Sequence, residues 1–412
     1  MSRNSSQRQQ RSRGDNPSQT TADPQLQYIT EATVLAELCG RLREAGSFGF
    51  DTEFVMEDRY QSEICVVQLA TASEIAIVDP FEVEDLSPVW SLMADANVEV
   101  VVHSGMEDLA LCHSRGGLVP QRVFDCQVAC GLISEDYPLN LSRMTKSLLG
   151  IRLYKSQTLT DWRRRPLSPE QLHYAADDVA HLPAMRGKLH KRLVQLGRSN
   201  WMDEEMTRFH APETYVRGTD EAVFRLKGAG SLDGKGLCFA RELVEARCKL
   251  AAQYDRPARA VVRDHLIIEI ARHRWTTASQ IKSLRGLNLR AQGLRTLAEA
   301  AQRASQLPRE QWPTPVPQDD ETNEEAALAL LIGAVVRAYC AEHRIAHQLV
   351  GTKRDLRAYV RAHVRGQTPD PSPALRAGWR AETVGVVIKD VLSGRAAVVL
   401  REDGQRLTVV PH

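Results

Sequence analysis

The chain has 412 residues, 43% of them hydrophobic, and a formal net charge of +1; at roughly 100–200 residues per domain, this length allows two to four domains with real cores. No uninterrupted apolar run nears the roughly 18 residues that span a bilayer, and the first residues are polar without an apolar signal core, so a soluble, cytoplasmic protein is expected and a membrane role is excluded. Eight cysteines without paired CxxC spacings fit reduced core thiols better than zinc ligands or disulfides, and Cys126 and Cys130, four apart, are read as packing.

Residues 1–26, rich in Ser, Gln, Asn and Arg, lack apolar periodicity and are expected to be a disordered tail. Thr30 is the predicted N-cap of a helix in which Leu35, Leu38, Cys39 and Leu42 share a face and Gly46 ends the run. Strands are predicted at SFGFDTEF, ICVVQLA and EIAIVDP, then a helix near PVWSLMAD and a strand at VEVVVHS. A meander of strands that then alternates with helices implies a mixed α/β sheet. From Met106 to Gly197 the pattern is chiefly helical. One helix start is clear, with Ser168 as N-cap, Pro169 at the first position and Gln171 three residues after the cap. Residues 216–303 read as several short helices, 304–323 as a Pro- and acid-rich linker, 324–395 as a second helical block and 396–412 as a C-terminal tail.

The near-neutral total hides an asymmetry. Residues 27–210 hold 18 Lys/Arg against 27 Asp/Glu, a net of −9, whereas residues 216–303 hold 17 against 9, a net of +8. An acidic segment beside a basic one suggests carboxylates that hold cations and a surface that holds a polyanion, although charge blocks are also ordinary solvated faces.

Asp51 and Glu53 sit one residue apart at the end of an apolar strand, so both carboxylates leave the same face of the sheet. Like charges so placed are costly without a cation between them, but a DxE pair alone does not specify a metal. Asp108 follows the strand EVVVHS at the start of an amphipathic run, with Glu107 beside it. Tyr174 and Asp178 lie four apart on the well-capped helix and share a face, while Asp177 is rotated away by about 100°. Taken alone, that pair reads as a phenol–carboxylate contact across one turn. Together the four acids form an oxygen-rich set suited to Mg²⁺ or Mn²⁺. Two such ions about 3.5–4 Å apart serve phosphodiester hydrolysis, with Tyr174 available to orient water.

The surrounding residues carry a resemblance. Phe50-Asp51-Thr52-Glu53-Phe54, His103 through Leu109, and Tyr174-Ala175-Ala176-Asp177-Asp178-Val179 resemble the three motifs of the DEDDy exonucleases, specifically ribonuclease D. The resemblance implies Asp108 over Glu107 and Asp178 over Asp177. It continues through Phe124-Asp125-Cys126-Gln127, Lys155-Ser156-Gln157 and Asp161-Trp162-Arg163-Arg164-Arg165-Pro166-Leu167-Ser168. Asp125 is read as a cap or loop organiser, and Trp162 equally as a base contact or a packing anchor. Residues 216–303 are similar to an HRDC domain, and 324–395 to a second, more divergent one in which Gly378-Trp379-Arg380 is read as a packing motif.

The resemblance implies an RNase H-like (DnaQ-like) mixed-sheet exonuclease domain over 27–212 followed by two small all-α HRDC-type domains. It implies a 3′–5′ exoribonuclease that releases nucleoside 5′-monophosphates, with tRNA precursors bearing 3′ extensions as substrate, acting as a monomer. The metal ligands would be Asp51, Glu53, Asp108 and Asp178, holding two ions, with Tyr174 catalytic beside them. Substrate contacts would come from Thr52, Phe54, Lys155, Gln157, Trp162 and Arg165. Two alternatives stay open: a 3′–5′ DNA exonuclease and a non-catalytic RNA-binding scaffold.

Overall fold

The computed structural model describes residues 25–55, 59–153, 160–216, 218–314, 321–367, 375, 377–401, 404 and 406–412. The expected tail is thus outside the described residues up to 24, and the chain enters a strand at Gln25, so the last two residues of the predicted tail belong to that strand.

The first unit is a six-stranded mixed sheet clad in helices. Its strands are β1 (Gln25–Ile29), β2 (Ser47–Val55), β3 (Glu63–Ala70), β4 (Glu74–Val78), β5 (Glu99–Val102) and β6 (Val123–Asp125), in the order β1-β4-β3-β2-β5-β6. β2, β3 and β4 form the antiparallel meander; β5 and β6 add in parallel on one side and β1 on the other. β1 was absent from the sequence reading: it is five residues long at the edge of a polar stretch, only Ile29 is buried in it, and pairing with β4 defines the strand. β6 is three residues long, too short for alternation to register.

The helices of this unit are α1 (Ala32–Ala45), α2 (Ser87–Met93), α3 (Met106–Gly116), α4 (Cys126–Gly131), α5 (Leu141–Leu149), α6 (Pro169–Ala180), α7 (Leu182–Gln195) and α8 (Ser199–Thr207). Leu35, Leu38, Cys39 and Leu42 are the buried face of α1, as their spacing requires, but its N-cap is Glu31 without a side-chain bond rather than Thr30. α6 starts with the full capping box, Ser168 and Gln171 each satisfying the other's backbone amide.

Residues 219–306 form helices α9 (Thr219–Phe224), α10 (Gly234–Tyr254), α11 (Ala258–Val261), α12 (Asp264–His273), α13 (Ala278–Lys282) and α14 (Ala291–Gln306), packed around a core of their own. Arg247, in the middle of α10, is buried and pairs with Asp264 at 2.6 Å.

The second helical block comprises α15 (Asn323–His343), α16 (His347–Val350), α17 (Lys353–Val364), α18 (Gly378–Glu382) and α19 (Val384–Leu392). It has no separate core: Ile332, Val336, Cys340, Leu349, Trp379 and Ile388 belong to the same apolar cluster as the sheet. Trp379 is fully buried, stacks on Trp201 of α8 at 4.7 Å and donates through Nε1 to Glu205 at 2.8 Å, while Arg380 pairs with the same carboxylate at 2.6 Å. The Gly-Trp-Arg motif is therefore an anchor between units. α15 is also long and apolar enough by length and composition to cross a bilayer, with a mean hydropathy of 1.4, because its inner face packs on this core while Leu330 and Leu331 stay exposed. The expected C-terminal tail is instead a hairpin, β7 (Ala396–Leu400) with β8 (Leu407–Pro411). Its strand signal, AAVVL and LTVVP, is two short β-branched runs that seat against α15 and α19.

Candidate active site

Three elements converge on one cleft. β2 delivers Asp51 and Glu53 from one face, α3 delivers Asp108 from its first turn, and α6 delivers Tyr174 and Asp178 one helical turn apart. All five border a cleft of about 550 Å³, together with Thr52, Phe54, His103, Ser104, Met106, Glu107 and Leu141.

Close packing sets these approaches. Gly49 precedes Asp51 by two residues on the same sheet face, and a Cβ there would lie 3.1 Å from Leu182 and 3.2 Å from the Val179 carbonyl. Only glycine lets the α6–α7 junction sit directly on β2. On the other side, Gly105 opens α3, and a Cβ would meet the Val102 side chain at 2.5 Å. Before it, Ser104 adopts a left-handed backbone with φ 61°. Its amide donates to Asp125 Oδ1 at 3.0 Å, an atom that also accepts from Gln127 and Val128. Asp125 is thus a cap and loop organiser that fixes the turn leading to Asp108.

The electrostatics are those of crowded acids. Asp51 is raised well above the usual carboxylate range, first by burial and then by the charges of Asp108 and Asp178, with the Thr52 amide pulling the other way from 3.0 Å. Glu53 is pushed up to about 8 by burial and by Asp178 and Asp108. Asp108 is raised by burial, opposed by the Thr52 hydroxyl that donates to it at 2.5 Å. Among the described residues no three His, Cys, Asp or Glu side chains are already gathered closely enough to hold an ion. The donor chemistry nevertheless fits a divalent cation: four carboxylates face one cleft, and among the described residues no Arg or Lys lines it. Hard oxygen donors with this excess of negative charge need a counter-cation to be ionised together.

Of the residues expected to touch substrate, Thr52 and Phe54 border the cleft. Lys155 and Gln157 lie outside the described residues. Trp162 and Arg165 are not among the described residues that line the cleft, and both are engaged within the fold. Trp162 is buried and packs against the Tyr174 ring, centroids 5.9 Å apart. Arg165 directs its guanidinium to Asp79, to the Cys65 carbonyl at 2.7 Å and to the Trp162 carbonyl at 2.8 Å, over the Phe81 ring. Burial opposes the ionisation of Asp79, yet bonds from Arg165 and Tyr28 hold its carboxyl below the usual range. The Arg-rich segment is therefore fastened to the sheet and supports Tyr174 from behind. His103 was not singled out from sequence; its imidazole meets the Leu139 carbonyl at 2.8 Å, and burial lowers its pKa, leaving it a neutral wall of the cleft.

Comparison with known proteins now adds to this geometry. A 3′-5′ exonuclease family matches residues 26–194, and the HRDC domain matches residues 238–292. Ribonuclease D of Granulibacter bethesdensis is 31% identical over 392 residues, covering 94% of this chain and 97% of its own. Ribonuclease D of Sphingobium indicum is 30% identical over 387 residues, covering 92% and 98%.

The chain belongs to the ribonuclease D family.

Among solved structures, Escherichia coli RNase D superposes with a TM-score of 0.75 at 25% identity, covering 90% of this chain and 99% of that one. That protein is described as an exoribonuclease involved in structured RNA processing. The protein is accordingly a 3′–5′ exoribonuclease with a DnaQ-like mixed-sheet domain and an HRDC domain.

Proposed function

We propose that the protein trims structured RNA, tRNA precursors with 3′ extensions among them, one nucleoside 5′-monophosphate at a time, using Asp51, Glu53, Asp108 and Asp178 as the ligands of two Mg²⁺ or Mn²⁺ ions. The observation that carries the reading is the single cleft in which all four carboxylates and Tyr174 meet. When bound, the ion pair supplies charge neutralisation at the phosphodiester and activation of water. The chain's own contribution is placement. Asp51 and Glu53 are held by a paired strand, Asp108 is steadied by the Thr52 hydroxyl, and Asp178 rides on a helix whose start is locked by its capping box. The Tyr174 phenol, backed by Trp162, orients the attacking water by hydrogen bonding rather than by accepting its proton, since a phenol is protonated at neutral pH.

The reading extends to a monomer in a reducing cytoplasm, which all eight cysteines being free thiols supports. A digestion series tests the substrate: 3′-extended tRNA, unstructured RNA and single-stranded DNA, each with Mg²⁺, Mn²⁺ and chelator. Release of 5′-monophosphates from RNA with either cation, and none with chelator, is expected. Preference for DNA would favour the proofreading-type alternative. Tyr174→Phe is expected to lower kcat by roughly 10²-fold, within the range for loss of a positioned catalytic group, with the metal concentration for half-maximal rate unchanged. Normal turnover would reduce the tyrosine to packing.

A further inference from the structure

Gln68 of β3 is fully buried, and among the described residues neither its side-chain oxygen nor its nitrogen has a hydrogen-bond partner. A primary amide kept from water in this way is strongly unfavourable, and native structures keep few of them without a reason. Its place in the sheet supplies one. In the β2–β3 ladder Gln68 lies directly opposite Asp51, as Ala70 lies opposite Gly49. Directly opposed residues project to the same face with Cβ atoms about 4.5–5.5 Å apart, well within the reach of a glutamine. The face is fixed independently, because Val179 and Leu182 press on Gly49. Gln68 is therefore beneath α6, the helix that carries Tyr174 and Asp178, and its neighbour across the strand is the most crowded acid of the cleft.

We propose that Gln68 is a positioning residue for Asp51: its carboxamide N–H is the donor that holds the Asp51 carboxylate in orientation when the site is charged with divalent cations. Asp51 takes a hydrogen bond from the Thr52 amide at 3.0 Å, and its carboxyl also meets that of Asp108 in the cleft. A carboxylate has about four lone-pair sites, so one drawn toward cations on its open side still needs a donor on its buried side. Gln68 is the unsatisfied donor on that side. Partners of this kind, which touch the ligand and not the ion, typically alter metal affinity by about 10–100-fold when removed.

The inference rests on Asp51 being a metal ligand, and the experiment separates the two. Full-length protein stripped of metal is titrated with Mn²⁺ and with Mg²⁺ while the melting temperature is followed, for wild type, Gln68→Leu, Gln68→Met and Asp51→Asn. Activity at saturating metal and RNA affinity in chelator are measured alongside. Gln68→Leu and Gln68→Met are expected to melt at or above the wild-type temperature without metal, because an unsatisfied amide is gone. They should need at least about 10-fold more cation for half-maximal stabilisation, with RNA affinity unchanged. An unaltered metal requirement in both variants, while Asp51→Asn loses the cation response, would overturn the role of Gln68 and leave the site intact. A cation response retained in Asp51→Asn would remove the ligand assignment, and the role of Gln68 with it.

Discussion

Replacing Asp51 by Asn is expected to abolish RNA hydrolysis, by on the order of 10³-fold or more, while making the metal-free protein more resistant to heat than the wild type. The two effects share one cause. Asp51 is held far above its usual pKa by burial and by Asp108 and Asp178, so keeping it ionised in the folded protein is costly unless a cation is present. An amide of the same shape removes that cost together with the ligand. The pH dependence follows from the direction of the shifts. Glu53 rises from 4.5 to about 8 on folding, and Asp51 and Asp108 move the same way. The stability Glu53 contributes is therefore complete below about 4.5 and is lost as the pH rises through about 8, and Asp51 and Asp108 act in the same direction from their own ordinary range. In chelator, the melting temperature of Asp51→Asn should exceed that of the wild type by a margin that widens as the pH rises above the ordinary carboxylate range, and Mg²⁺ should close the gap by stabilising only the wild type. Calorimetry at several pH values checks this. A margin that is flat with pH, or a mutant that still degrades RNA, would remove Asp51 from the site. Asp178→Ala should likewise abolish cleavage and leave RNA binding intact, since the basic helical unit is far from the substituted carboxylate in the chain and folds around its own core.

Trp379→Ala should cost about 3–5 kcal/mol of stability, the range for removing a large aromatic side chain from a packed core. Beyond the lost volume, the substitution leaves Glu205, itself buried, with one hydrogen bond fewer, and strips Trp201 of its stacking partner. The second helical block has no core apart from the one it shares with the sheet, so the loss should be felt as loosening of the whole block. Urea unfolding gives the magnitude, and limited proteolysis should cut ahead of α15 faster than in the wild type. A loss below about 1 kcal/mol would show that the Trp379 anchor is redundant.

Local chemistry made much of the protein legible before its structure. The β2–β3–β4 meander announced itself by β-branched runs, and α1 and α6 by spacing and caps, because those signals act over a few residues. The acids of the cleft were recognisable as candidates for similar reasons: one residue apart on a strand, four apart on a helix. Choosing Asp108 over Glu107 was not a matter of local chemistry, since both stand in the first turn of α3; it came from the resemblance, and Glu107 too borders the cleft.

Long-range pairing decided the remainder. Arg165 lies in a basic stretch that invites an RNA contact, yet the fold brings Asp79 to it from 86 positions away and uses the guanidinium as a brace. The second helical block has the amphipathic periodicity of an independent domain, but long-range contacts, Trp379 with the α8 residues Trp201 and Glu205 and the Ala346 amide with the Gly131 carbonyl among them, join its core to the sheet. Gln68 reads as an ordinary polar residue within an apolar strand until register sets it opposite Asp51. By itself, then, the sequence determined where helices and strands lie and which acids can share a face, since periodicity and capping are local. Which acids share a cleft, which cation is committed to the fold and which amide is left without a partner were decided by the tertiary structure, because each depends on residues far apart in the chain being packed beyond the reach of water.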